Sequence, residues 1–174
     1  MPRMDIVSRK RWGARQARPM ASQQAPTEAF VHYSDTVNAE RIDTFAEQCA
    51  AMRAFQDFHM NGRGWSDIGY AFVVFQPQGE QTKARAFRGR LTRYVPAAQE
   101  GHNTRTLPIC VVADGGDELK RNTRYVIEQL IRRYPSVKTL GGHRDVTATT
   151  CPGDAIYAQV PRMAQAAGVK VFKR

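Results

Sequence analysis

Two short, unbroken apolar runs constrain this chain more than any other feature: GYAFVVFQ at 69–76 and LPICVVA at 107–113. Each is of strand length and bounded by turn-forming residues, which reads as a buried strand. PQG at 77–79 is the turn expected after the first run. Around these runs the pattern alternates. EAFVHY at 28–33 predicts a short strand that ends in the polar cluster SDTVN. Ile42, Phe45, Ala46, Cys49 and Met52 recur at helical spacing and predict a helix over about 39–59, broken by Asn61-Gly62 and Gly64. A partner strand is expected over 84–88. DGGD opens a second helix running to about Tyr134, with Leu119, Val126, Ile127, Leu130 and Ile131 inward and Pro135 as its stop. VKTL predicts a short strand, GGHRDVTATTCPG an irregular loop, and 154–167 a last helix. The fold class expected is α/β: one central mixed sheet flanked by helices.

Length and composition agree with a single domain over 1–174. A chain of 174 residues buries about two-thirds of its unfolded surface in one core. Hydrophobic residues at 42% and charged residues at 24% exclude a disordered chain. No apolar run reaches the roughly 18 residues needed to span a membrane. The start, MPRMDIVSRKRWGARQ, is charged and lacks the apolar stretch of a secretory signal. Synthesis in the cytoplasm is therefore expected. The net charge of +10 implies attraction to polyanions, an anionic cell envelope or nucleic acid. No nucleic-acid fold signature accompanies it, so nucleic acid is not the expected partner. The nearest thing to a patch is Arg85, Arg88, Arg90 and Arg93, read as a solvated face.

Three cysteines are too few and too unlike in context for a disulfide framework. Cys49 and Cys110 sit in apolar patterns and are expected to be buried. Cys151 lies in TATTCPGDA, where nothing apolar asks for it. His143 shares its Gly- and Pro-bounded loop, so the two can converge without distorting a helix. His32 lies at a strand end, where side chains point into the mouth of an α/β domain. Three such ligands and one open position describe a catalytic zinc site. A second chemistry fits the same residues, with Cys151 as nucleophile and His143 or His32 as base. Spacing leaves both open. His59, at a helix end, is expected to be structural.

The stretches IVSRKRWGA, FVHYSDT, FHMNGRGWSDIGYAFVV, FRGR followed by GHNTRTLPICVV, and GGHRDVTATTCPG run in order from about residue 6 to 158. In this order and spacing the chain resembles the zinc N-acetylmuramoyl-L-alanine amidases related to bacteriophage T7 lysozyme and the peptidoglycan recognition proteins. The resemblance implies their fold, a Zn2+ cofactor and peptidoglycan as substrate. It implies His32 (VHYS), His143 (GGHRD) and Cys151 (TTCPG) as the metal ligands. Tyr70 (DIGYAF) matches the family's catalytic Tyr, and Thr149 stands where some members carry Lys and others Thr. Trp65, Asn103 and the neighbouring His102 are expected near substrate. Asp145 and Arg144 are expected either to orient ligands or to form a loop salt bridge. Two departures stand out: Ala98 where many relatives have His, and Pro108 where many have Gly.

The activity so implied is hydrolysis of the amide between N-acetylmuramic acid and L-alanine. Alternatives are a non-catalytic peptidoglycan-binding module, whose known members typically lose the Cys ligand, and a cytoplasmic muropeptide-recycling amidase. A cytoplasmic protein partner has no local support in the sequence. A monomeric phage endolysin, released through a holin and adsorbed electrostatically to the envelope, is the expected setting.

Overall fold

The computed structural model describes residues 4–78 and 83–173. Gly79, the end of the expected PQG turn, lies outside them. The strands are β1 (Ile6–Val7), β2 (Glu28–Tyr33), β3 (Phe72–Phe75), β4 (Arg85–Arg88), β5 (Thr106–Val112), β6 (Thr139–Gly142) and β7 (Lys170–Val171). They form one sheet in the order β1-β4-β3-β5-β2-β6-β7. β3 and β4 pair antiparallel, as expected of a strand and its neighbour across a turn; the other adjacent pairs are parallel. The helices are α1 (Arg9–Trp12), α2 (Phe45–Asp57), α3 (Arg121–Arg132), α4 (Asp154–Tyr157) and α5 (Val160–Ala167).

The unbroken apolar runs have a simple cause. All of β3 and β5 is buried, because helices cover both faces of the sheet there. On one face Val31, Val74, Ile109 and Val111 pack against Val126, Ile127 and Leu130 of α3 and Met163 of α5. On the other, Val73, Phe75, Phe87, Cys110 and Val112 pack against Trp12, Cys49 and Met52. Trp12 is fully buried and its indole N–H donates to the Arg88 carbonyl at 2.8 Å. Each such large apolar side chain contributes about 1.5–3 kcal/mol by leaving water. Cys49 and Cys110 are buried within this second core.

Local chemistry moves several boundaries. The helix expected over 39–59 begins only at Phe45, because Thr44 and Glu47 close a capping box; Ala39–Arg41 form a separate 3-10 turn. Past Asp57 the chain widens into a π turn, Phe58–Gly62. The second helix begins at Arg121 rather than at DGGD, whose side chains instead bond their own backbone: Asp114 Oδ1 accepts from Gly116 N–H at 2.9 Å and Asp117 Oδ2 from Asp114 N–H at 3.0 Å. Leu119 is buried, but ahead of the helix. The last helix is two, since Pro161 in the first turn of α5 cannot donate back into α4. After Gly168, a left-handed cap at φ 78°, β7 adds an edge strand to β6. Among the described residues no helix is long and apolar enough to cross a membrane.

Register positions the site. β2 lies between β5 and β6, with His32 opposite Cys110 and Val31 opposite Gly142. The next residue along β2 is His32, and the residue that follows β6 is His143, so both emerge side by side at the same sheet end.

Candidate metal centre

The rings of His32 and His143 lie tilted against each other, with centroids 4.6 Å apart. Cys151 comes from the loop before α4, and its Sγ lies 3.9 Å from His32 Nδ1. One donor atom from each residue lies within 4.8 Å of the others. The loop is held in place by its own residues. Asp145 accepts from the Gly142 N–H at 2.8 Å and from the Tyr157 hydroxyl at 2.5 Å. Arg144 pairs with Asp154 at 2.6 Å, and its N–H donates to the Cys151 carbonyl at 3.0 Å. Ligand-loop orientation and a loop salt bridge are thus both present, divided between Asp145 and Arg144. Gly142 must be glycine, because a Cβ there would lie 2.7 Å from the Tyr157 ring.

Electrostatics disfavour a thiolate nucleophile. Burial, and then the charge of His143, hold His32 well below the usual histidine range; the hydrogen bond that Gln99 Oε1 accepts from it opposes them. Burial lowers His143 also. Burial pushes the Cys151 thiol up to about 11, although the Tyr33 N–H at 3.4 Å and Arg144 favour its ionised form. A nucleophilic cysteine needs a depressed pKa; Cys151 is shifted the other way. The set is two neutral imidazoles and a thiol, which a zinc ion would deprotonate on binding. Among the described residues the buried His143 Nε2 has no hydrogen-bond partner. The donor chemistry and its convergence fit zinc.

Tyr70 stands beside the cluster, its ring centroid 5.3 Å from that of His32. Its backbone is clamped: the Tyr70 carbonyl accepts from Arg90 N–H at 2.8 Å, and a Cβ on Gly69 would sit 2.3 Å from the Ala97 carbonyl oxygen. Burial, then the neighbouring Cys110 and Cys151, raise its phenol well above the usual range. Beyond Tyr70, His59 stacks on Trp65 at 4.7 Å, and its Nδ1 accepts from the Gly69 N–H at 3.1 Å. His59 is structural, as expected. Trp65 is half-buried and carries the Arg63 guanidinium 5.3 Å from its ring centre.

The remaining expected residues are placed as follows. The Thr149 hydroxyl accepts from the Cys151 N–H at 3.2 Å, bracing the ligand's turn. Asn103 spends its Oδ1 on the backbone N–H groups of Ala98 and Gln99, at 2.9 and 3.0 Å. His102 pairs with Glu28 at 2.6 Å and packs edge-on against Phe30 and Phe172. The arginine run is not one solvated face: Arg90 is buried and donates to the carbonyls of Ile68, Asp67 and Val95, because three carbonyls at that turn need a donor. Gln99, which touches His32, was not legible; a lone Gln in a loop carries no pattern.

No family model matches the chain. Human N-acetylmuramoyl-L-alanine amidase is 32% identical over 162 residues, 87% of this chain and 27% of that protein. The pig amidase gives 32% over 26% of its length, so the chain spans about a quarter of these curated relatives. Peptidoglycan-recognition protein LB of Drosophila melanogaster is 28% identical over 89% of this chain and 67% of its own. The structure of Drosophila PGRP-LB superposes with a TM-score of 0.77 at 28% identity, covering 91% of this chain and 94% of that one. The PGRP-LCa and PGRP-LCx ectodomain complex with bound tracheal cytotoxin matches at TM-score 0.77 and 27% identity, over 91% and 96%. The homologues of this chain are N-acetylmuramoyl-L-alanine amidases and peptidoglycan-recognition proteins, and its mixed α/β domain has the fold of the latter.

Proposed function

We propose that residues 1–174 form a zinc-dependent amidase domain that cleaves the bond between N-acetylmuramic acid and L-alanine in peptidoglycan. The observation that carries this reading is the convergence of His32, His143 and Cys151 donors within 4.8 Å, beside Tyr70. Zinc held by these three supplies Lewis acidity to the amide carbonyl and a nucleophilic water near neutral pH. The chain's own groups do the rest. Tyr70, with its raised pKa, keeps its proton and acts as a hydrogen-bond donor rather than a base. Aimed at the oxygen on which charge develops, such a donor is worth on the order of 3 kcal/mol. Trp65, propped by His59 and Arg63, offers an aromatic face to the glycopeptide. Thr149 holds the Cys151 turn and lends no positive charge.

The names of the mammalian relatives support the reaction, and the tracheal cytotoxin complex supports the substrate class. That complex also favours a second reading, binding of peptidoglycan fragments without cleavage. One experiment separates them. Zinc-loaded protein is incubated with purified cell walls, and the soluble fraction is read by mass spectrometry. Free stem peptides with a new L-alanine amino terminus are expected. Folded, zinc-loaded protein that stays on the walls and releases none would overturn hydrolysis and select binding. Phage origin and release through a holin are a proposal about setting that this domain's chemistry leaves untouched.

A further inference from the structure

The two ring nitrogens of His32 have different neighbours. Nδ1 faces Cys151 Sγ at 3.9 Å, and Nε2 lies 3.1 Å from Gln99 Oε1. A nitrogen that ligates a cation must offer a lone pair, so a neutral imidazole then carries its proton on the other nitrogen. With Nδ1 towards the other donors, the proton belongs on Nε2, and Gln99 receives it through its carbonyl oxygen. The reversed amide would put N–H groups against Nε2, move the proton to Nδ1 and block the ligand position.

The backbone of Gln99 is also held where it is, and among the described residues its side-chain Nε2 is buried with no partner, so the contact to His32 is the bond that orients the amide. Gln99 is completely buried, and its backbone N–H and that of Ala98 both donate to Asn103 Oδ1. The Asn103 carbonyl accepts from the Thr106 hydroxyl at 2.7 Å, and the Gln99 carbonyl accepts from His102 N–H at 3.0 Å. Thr106 is the first residue of β5 and pairs with Glu28 at the start of β2. A line of hydrogen bonds therefore runs from the sheet, through Asn103 and Gln99, to the ring of His32.

We infer that Gln99 is a positioning residue that fixes His32 in its Nε2–H tautomer and presents Nδ1 to zinc, with Asn103 locking Gln99 in place. The inference rests on the zinc reading above. It gives Asn103 work behind a metal ligand in place of a substrate contact. Outer partners of this kind typically change metal affinity by about 10–100-fold when removed.

The metal-free wild-type protein is read first, by two-bond 1H–15N correlations of its histidine rings. His32 is expected as the Nε2–H form before any zinc is added; a proton on Nδ1 overturns the inference. Zinc affinity is then measured by competition with a chromophoric chelator, for wild type, Gln99→Leu and Gln99→Glu. Gln99→Leu should bind zinc about 10–100-fold more weakly and lose the single tautomer. Gln99→Glu keeps an acceptor and should bind at least as tightly as wild type. Unchanged affinity in Gln99→Leu, or equal weakening in both variants, overturns the inference. If Gln99→Leu does not fold, the wild-type tautomer and Gln99→Glu decide. A wild type that binds no zinc defeats the zinc reading and this inference together. Zinc-binding wild type with an indifferent Gln99 defeats the inference alone.

Discussion

Tyr70 divides two pairs of rings, each built on a buried histidine, that look alike and behave differently. On one side, 5.7 Å away, is His59, stacked on Trp65. On the other, 5.3 Å away, is His32, tilted against His143. Burial is the main cause of the lowered pKa in all three histidines, to about 4 in His59. His59 answers its burial with a backbone donor and an aromatic neighbour, and needs nothing further. The His32 group faces a second imidazole and a thiol, and among the described residues leaves a buried nitrogen of His143 without a partner. Burial alone therefore does not mark a ligand site. What marks it is several donors of one kind turned towards a common point, with too few N–H groups to satisfy them.

The sharpest way to break this contrast is to remove one donor from the unsatisfied side. Cys151→Ser should lose retained zinc and wall cleavage together, while circular dichroism still reports a folded protein. Cleavage that survives in this variant would dissolve the distinction. At the boundary itself, Tyr70→Phe should lower kcat by about 100–1000-fold with zinc affinity unchanged, as expected of a lost donor to the oxyanion. A variant that loses zinc as well would make Tyr70 part of the metal cluster.

The satisfied side gives a stability prediction. His59 has a folded pKa of about 4 against an ordinary 6.5, so the unfolded chain binds the extra proton between those values. Its contribution to stability is therefore complete above pH 6.5 and is lost as pH falls towards 4. That share amounts to about 3 kcal/mol. Urea unfolding from pH 7 to 4 should show a shallower decline in His59→Gln than in wild type; parallel curves would contradict it. The smallest effect belongs to Thr149→Val, which removes the acceptor for the Cys151 N–H. A loss of about 1 kcal/mol in stability and less than tenfold in kcat is expected. A larger loss of kcat at constant stability would move Thr149 into the chemistry.

The donors themselves were legible because their surroundings were wrong for a core. GGHRD and TTCPG put His and Cys among glycines, threonines and a proline, where packing gives them no reason to be. The strands β3 and β5 were legible for the opposite reason, being apolar on every residue. Gln99 was not, since a single polar residue in a loop has no periodicity and its partner His32 lies far off in sequence. Helix starts shifted wherever a side chain closed a cap, as at Thr44, or bonded its own loop, as at Asp114. Strands β1 and β7 are two residues each, too short for any alternation to show.

The central claim is that His32, His143 and Cys151 hold one zinc ion that the wall-cleaving activity requires. Its most direct test is a zinc titration of metal-free wild-type protein, with stem-peptide release from cell walls followed at each step. Activity should be absent at the start, rise in proportion to added zinc, and level off at one equivalent. Full release of stem peptides before zinc is added, with excess chelator present, would contradict the account.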